Sequence, residues 1–283
     1  MQLDRRVAVA ASLGAMLSVQ GGAAFAKHLF PLVGPDGATL LRIGLAALIL
    51  LAVFRPRLRA FDRTQGRRVL LYGLALAAMN VTFFHALRLV PLGVAVTVEF
   101  VGPLGLALVL SRRAVDVLWA VLAAAGVVLI VPWTGTGGAG FLGIGLAALA
   151  GVFWAGYILA TSHVTKVLRA QDAVAAGMSV AALLVLPFAA CTGGMAGIGR
   201  DALLLGLGVA VFSSAIPFTL ELVALKGLPE KTFSIILSLE PAIAALIGFA
   251  VLHEVLRPVQ LVAMVCVIVA SVGSTLTVPA KTP

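Results

Sequence analysis

Runs of about twenty apolar residues recur along this chain, and no other feature limits its fold so sharply. A helix needs about that length to cross the hydrocarbon core of a bilayer. Ten runs are readable, at about 7–26, 36–54, 69–88, 91–110, 115–133, 141–161, 172–191, 201–223, 231–252 and 258–278. A membrane β-barrel would need alternating polar and apolar residues. These runs are apolar on every face, so the expected fold class is an all-α integral membrane protein. Composition agrees: the chain is 61% hydrophobic and 11% charged, with mean hydropathy +1.14, where ordinary globular domains are about 25% charged. The connections are short and leave no stretch for a water-soluble domain.

Lysine and arginine orient such a bundle, because they accumulate in cytoplasmic loops. With the N-terminus inside, 15 basic residues fall on the inner side: Arg5, Arg6, Arg55, Arg57, Arg59, Arg63, Arg67, Arg68, Arg112, Arg113, Lys166, Arg169, Lys226, Lys231 and Lys281. The outer side holds 4: Lys27, Arg88, Arg200 and Arg257. Both termini are expected in the cytoplasm. The same count accounts for the net charge of +9, which is spread over loops and does not indicate nucleic acid. Ala24-Phe25-Ala26 resembles a signal-peptidase site. Cleavage there would leave nine helices and undo the symmetry described next, so the segment is read as retained.

Residues 86–103, ALRLVPLGVAVTVEFVGP, align without a gap on residues 224–241, ALKGLPEKTFSIILSLEP. Ala86, Leu87, Pro91 and Pro103 meet Ala224, Leu225, Pro229 and Pro241, and Arg88 meets Lys226. The offset of 138 is about half the chain. Five helices per half make the second half enter the membrane from the opposite side. Two inverted five-helix repeats are therefore expected, at 1–138 and 139–283. Many secondary transporters are built this way, with a substrate site near the midplane.

A lone carboxylate inside hydrocarbon costs about 2.5–3.5 kcal/mol on insertion scales, yet Glu99, Glu221 and Glu240 lie within runs, with Arg42. Glu99 and Glu240 fall near the midplane, each about eight residues, or roughly 12 Å, from a membrane surface. Pro103 frees the carbonyl of Glu99 and Pro241 that of Leu237, and freed carbonyls are tolerated where they line a cavity or find another partner. Both stretches therefore read as broken helices carrying an acid. Pro217 frees the Ser213 carbonyl, marking either a third break or a kink. Three acids against one base leave an excess to be met by a proton or a cation; the structural alternative pairs each acid with Arg42 or a hydroxyl. Glu221, five residues from Lys226, is free to snorkel to the surface instead. Gln20, Asn80, Trp154 and Tyr157 are polar positions that either line a cavity or bond between helices. His85 reads as interfacial.

Several matches are rejected. Gly135–Gly140 fits GxGxxG but joins two membrane helices and not a strand to a helix. The sequon at Asn80 is inside a helix. Cys191 and Cys266 sit apart in apolar settings, so no redox pair follows. No metal-ligand spacing, catalytic constellation or Walker lysine is present, and neither cofactor nor metal is expected.

Four stretches carry a family resemblance: PLGVAVTVEFVGPLGLALVLSRR (91–113), FWAGYI (153–158), SSAIPFTLELVAL (213–225) and TFSIILSLEPAIAAL (232–246). The chain resembles the EamA-type branch of the drug/metabolite transporter superfamily, and within it the inner-membrane threonine/homoserine exporters. The resemblance implies a central cavity built mainly from helices 1, 3, 4, 6, 8 and 9, with helices 5 and 10 peripheral. It places Glu99, Trp154, Tyr157, Glu221 and Glu240 on motif positions. His253 departs from it, standing before Glu254 where relatives commonly have glycine.

The function expected is secondary-active export of small amino acids by proton antiport across a bacterial inner membrane. A carboxylate would accept the substrate ammonium, and Arg42 or a half-helix N-terminus its carboxyl group. The partners are the substrate, protons and the bilayer, with a homodimer left open. Export of another metabolite or a cationic drug is the alternative on the same fold. A membrane-embedded enzyme or a non-transporting scaffold is a distant one.

Overall fold

A computed structural model describes residues 5–56, 61–110, 114–130 and 137–277. Arg57, Arg59, Arg112, Arg113, Lys281 and the start of the Gly135 run lie outside the described residues. The elements are α1 (Arg5–Lys27), α2 (Phe30–Phe54), α3 (Arg63–Leu89), α4 (Leu92–Leu110), α5 (Val115–Ile130), α6 (Gly137–Val164), α7 (Ala170–Cys191), α8 (Arg200–Ala210), α9 (Ile216–Gly227), α10 (Glu230–Leu237), α11 (Glu240–Leu252) and α12 (Pro258–Thr277). No strand occurs among the described residues. Among the described residues, nine helical rods are long and apolar enough to span a bilayer, with α8 leading into α9 and α10 into α11; α5 is a shorter tenth. The chain is an all-α multi-pass membrane protein.

Helix pairing follows the two halves. α2 packs on α7, α4 on α11, and α5 on α12, helices of equal position in the two repeats expected from the sequence. α3 packs on α6 and α1 on α9, and exchanging the halves turns one pairing into the other. Small residues permit the closest crossings, as expected where apolar burial alone gives helices no reason to associate. A Cβ on Gly102 of α4 would overlap the Gly151 backbone of α6. A Cβ on Gly126 of α5 would overlap the Ala263 carbonyl of α12.

The three proline sites fold in three ways. α4 runs unbroken through Pro103, which corrects the expected break. The carbonyl that Pro103 frees is that of Glu99, and Gly151 lies so close to it that a Cβ would collide with the oxygen. α6 thus covers the freed group closely, and the helix has no reason to open. Before Pro217 the chain widens into a π-helical turn, Val211–Ala215, and the Ile216 amide donates to the Val211 carbonyl. Such turns are typical of functional positions within α-helices; the site is a wide turn and not a break. Near Pro241 the expected break is present: α10 ends at Leu237, and α11 restarts at Glu240 with the proline in its first turn, where its missing N–H costs nothing.

One irregularity escaped the sequence reading. α2 begins at Phe30, ahead of the expected 36, and kinks at Gly34, whose φ of 64° needs glycine.

Candidate functional site

A cavity of about 560 Å³ lies among the helices. Its walls include all eight polar or aromatic residues singled out above: Gln20 from α1, Arg42 from α2, Asn80 from α3, Glu99 from α4, Trp154 and Tyr157 from α6, Glu221 from α9 and Glu240 from α11. Pro103 also lines it; Pro217 and Pro241 do not, and act through the backbone instead. Residues distant in sequence meet here because the α3–α6 and α1–α9 crossings bring the halves face to face.

Each group is held differently. Gln20 donates its side-chain amide to Glu240 Oε1 at 3.1 Å. Tyr72 and Tyr157 share a hydroxyl–hydroxyl hydrogen bond at 3.2 Å, with ring centroids 5.1 Å apart. Phe100 meets Trp154 edge to face at 5.8 Å, an arrangement the ring quadrupoles favour. Asn80 spends one amide hydrogen on the Leu76 carbonyl of its own helix, at 2.8 Å. The Arg42 guanidinium stacks over Phe84, 5.4 Å from the ring centroid. A flat, weakly hydrated cation suits that contact.

The charge balance is the main property of the site. Among the described residues the ion pairs are Lys27–Glu254 and His85–Asp36, and neither includes a cavity acid. Arg42 and Glu99 attract one another, while Glu240 repels Glu99 and Glu221 repels Glu240. Three carboxylates thus face one guanidinium without a closed ion pair, against the reading in which each acid is structurally paired. Glu221 lines the cavity and does not snorkel away. Ser214, within the π-turn, is also in the wall, and its buried hydroxyl has no hydrogen-bond partner.

Two features of the site were not read from the sequence. Ser271, Ser274 and Thr275 of α12 contribute to the wall, so the last helix is not merely peripheral. At the gap between α10 and α11, Ser238 is fully buried, and its hydroxyl bonds that of Ser271 on α12 at 2.7 Å. His85 bonds the buried Asp36 at 2.9 Å; Asp36 opens the second apolar run, where an acid beside a kinking Gly-Pro was the available signal.

One end of the bundle is locked. Lys27, closing α1, donates to Glu254 Oε1 at 2.5 Å and to the Val90 carbonyl at 3.2 Å. Glu254 Oε2 accepts the Leu92 amide at 2.7 Å, which satisfies an orphan donor of α4 and places an anion at its positive end. His253 takes the left-handed conformation, φ 56° and ψ 30°, at the end of α11. That turn aims Glu254 back at Lys27, and it is a position glycine adopts at lower cost. The cavity residues of α4 begin at Glu99, about 10 Å along the helix from the lock, so the cavity is displaced towards the opposite end.

Membrane-spanning helices around a polar cavity that holds unpaired acids define a multi-pass membrane transporter. The EamA-like transporter family matches residues 141–276. The threonine/homoserine exporter RhtA of Escherichia coli (strain K12) is 45% identical over 267 residues, 94% of this chain and 90% of the relative. Its namesake from Salmonella typhimurium (strain LT2) is 44% identical over 265 residues, 93% and 90% of the two chains. A protein of known crystal structure, 19% identical, covers 95% of this chain and 96% of its own with a TM-score of 0.59; at that identity the likeness establishes the fold alone. The chain belongs to the EamA-like transporter family.

Proposed function

We propose that this transporter exports small amino acids of the threonine and homoserine type across a bacterial inner membrane, in exchange for protons. The observation that carries the reading is the cavity's charge set: three carboxylates and one guanidinium facing a shared space. A zwitterion complements it, with its ammonium towards Glu99 or Glu240 and its carboxylate towards Arg42. The relatives named as threonine/homoserine exporters support this class of cargo. The hydroxyls of Ser214, Ser271 and Tyr157 can meet a hydroxylated side chain, and Trp154 and Phe100 supply an apolar wall.

Exchange follows from a single site with two occupants. A glutamate holding a proton has no charge with which to attract an ammonium, and a glutamate bound to an ammonium has no place for the proton. Loading substrate on one side and a proton on the other drives antiport. Residues 1–138 and 139–283 form the two inverted repeats that rock about this site. The basic-residue count puts both termini in the cytoplasm and the Lys27–Glu254 lock on the outer side, so the cavity faces inward. The excess of acid over base makes a cationic metabolite or drug the second reading.

Vesicles loaded with homoserine or threonine test the proposal. Release accelerates under an opposing pH gradient, and an uncoupler removes the acceleration. Release unchanged by the uncoupler, at a fixed substrate gradient, replaces antiport with facilitated diffusion. If no amino acid in a broad panel moves, the cargo is the cation of the second reading.

A further inference from the structure

A second concavity lies on another face of α6 from the central one, where the start of α3 meets the end of α6. Arg63, Arg67, Arg68 and His163 surround its polar part, and Leu71, Leu159, Ala160 and Gly156 continue it along the helices. We infer that this groove binds an anionic phospholipid, its phosphate among the arginines and an acyl chain along the apolar floor.

Three observations converge on that ligand. The first is charge. Arg63 and Arg67 are exposed on successive turns of α3, and the ion pairs among the described residues do not include them. Arg68 donates to the His163 carbonyl at 2.8 Å, fixing its guanidinium at the α6 side. The nearby Asp62 is committed to its own helix, accepting the Gln65 amide at 2.8 Å in a capping box. Guanidinium forks match phosphate oxygens.

The second is the change of chemistry along the groove. Leu71 is 51% exposed and Leu159 41% exposed, both on spans long and apolar enough to lie in a bilayer. Polar and apolar ends are stacked in the order that a lipid headgroup and its tail require. A soluble anion would use only the first of them.

The third is shape. The groove is deepened by Gly156, where an added Cβ would meet nothing within 4 Å. Basic pockets between membrane helices at the side rich in Lys and Arg are where acidic headgroups bind. The inference is independent of what the central cavity carries.

The test uses the whole protein purified in mild detergent, with native mass spectrometry reading bound lipid. Phosphatidylglycerol should be retained over phosphatidylcholine at equal supply. The double variant R63Q/R67Q should weaken that retention roughly 10- to 30-fold, with the unfolding temperature in lipid-free detergent unchanged. Gly156→Leu, which leaves every charge in place and fills the groove, should displace the lipid but not inorganic phosphate. Equal retention of both lipids, or phosphatidylglycerol retention unchanged in R63Q/R67Q, overturns the inference. If inorganic phosphate at millimolar concentration raises the unfolding temperature as much as the lipid does, and Gly156→Leu leaves lipid retention untouched, the site is one for free phosphate and the lipid assignment is wrong.

Discussion

Glu99 and Glu240 sit in one cavity, yet their surroundings differ. Glu240 accepts a hydrogen bond from Gln20, whereas Glu99 is buried at 7% exposure beside an unpaired Arg42. Glutamine at either position keeps the volume and removes the charge. Glu99→Gln and Glu240→Gln should therefore insert and fold as the parent does, while counterflow of substrate falls by at least about tenfold, the loss of one charge-assisted contact. Radiolabelled uptake into vesicles of matched protein content measures it. Normal counterflow by correctly inserted Glu99→Gln would make that acid structural. Gln20→Ala should be milder, because it removes a partner of Glu240 and not the carboxylate itself.

The elements carry their own tests, at the places where helices cross or end. At the α4–α6 crossing, backbone meets backbone, so Gly151→Ala has no flexible side chain to push aside. A destabilisation of about 1–3 kcal/mol is expected, as for other overpacked contacts, seen as a lower unfolding temperature in detergent. Gly105 of α4 meets nothing within 4 Å, and Gly105→Ala should be neutral. At the end of α11 the sign reverses. A left-handed residue other than glycine costs about 1–2 kcal/mol, and glycine returns about 0.5–1 kcal/mol of that as unfolded-state entropy. His253→Gly should stabilise by up to about 1.5 kcal/mol. A fall in unfolding temperature would show that the His253 side chain makes a contact of its own.

For the molecule as a whole, the prediction concerns which end opens. Lys27, Val90, Leu92 and Glu254 join the ends of α1, α4 and α11 through three hydrogen bonds. Glu254→Gln weakens the two made by the carboxylate and leaves Lys27 without its counter-charge. Each loss of about 1.4 kcal/mol shifts an equilibrium tenfold, so the bundle should open more often at this end. A cysteine at Ala23, in the cavity wall, reports it, on a background lacking Cys191 and Cys266. Labelling by an impermeant reagent added outside should rise about tenfold in Glu254→Gln. A reporter fused to the C-terminus should read cytoplasmic and one inserted at 134–140 external; the reverse would place the lock on the inner side and turn the cavity outward.

What one strand of residues could settle was anything that depends on local hydrocarbon solubility. Apolar runs of this length mean spanning helices in any arrangement, because unpaired backbone is intolerable in lipid, and a glutamate within such a run must face protein. Gln20, Arg42, Asn80, Glu99, Trp154, Tyr157, Glu221 and Glu240 were legible for that reason. Their common cavity supports the expectation without the sequence having fixed a single distance in it. The fate of each proline was decided elsewhere. Pro103, Pro217 and Pro241 remove the same hydrogen bond, yet one helix runs on, one widens and one breaks. What differs is the neighbour: Gly151 covers the carbonyl behind Pro103, a contact made 52 residues away in sequence that no local pattern announces. The Lys27–Glu254 lock and the Ser238–Ser271 bond, 227 and 33 residues apart, arise in the same way. Solubility in lipid is a property of each segment by itself. Which freed polar group finds a partner depends on what packs against it, and only the assembled bundle decides that.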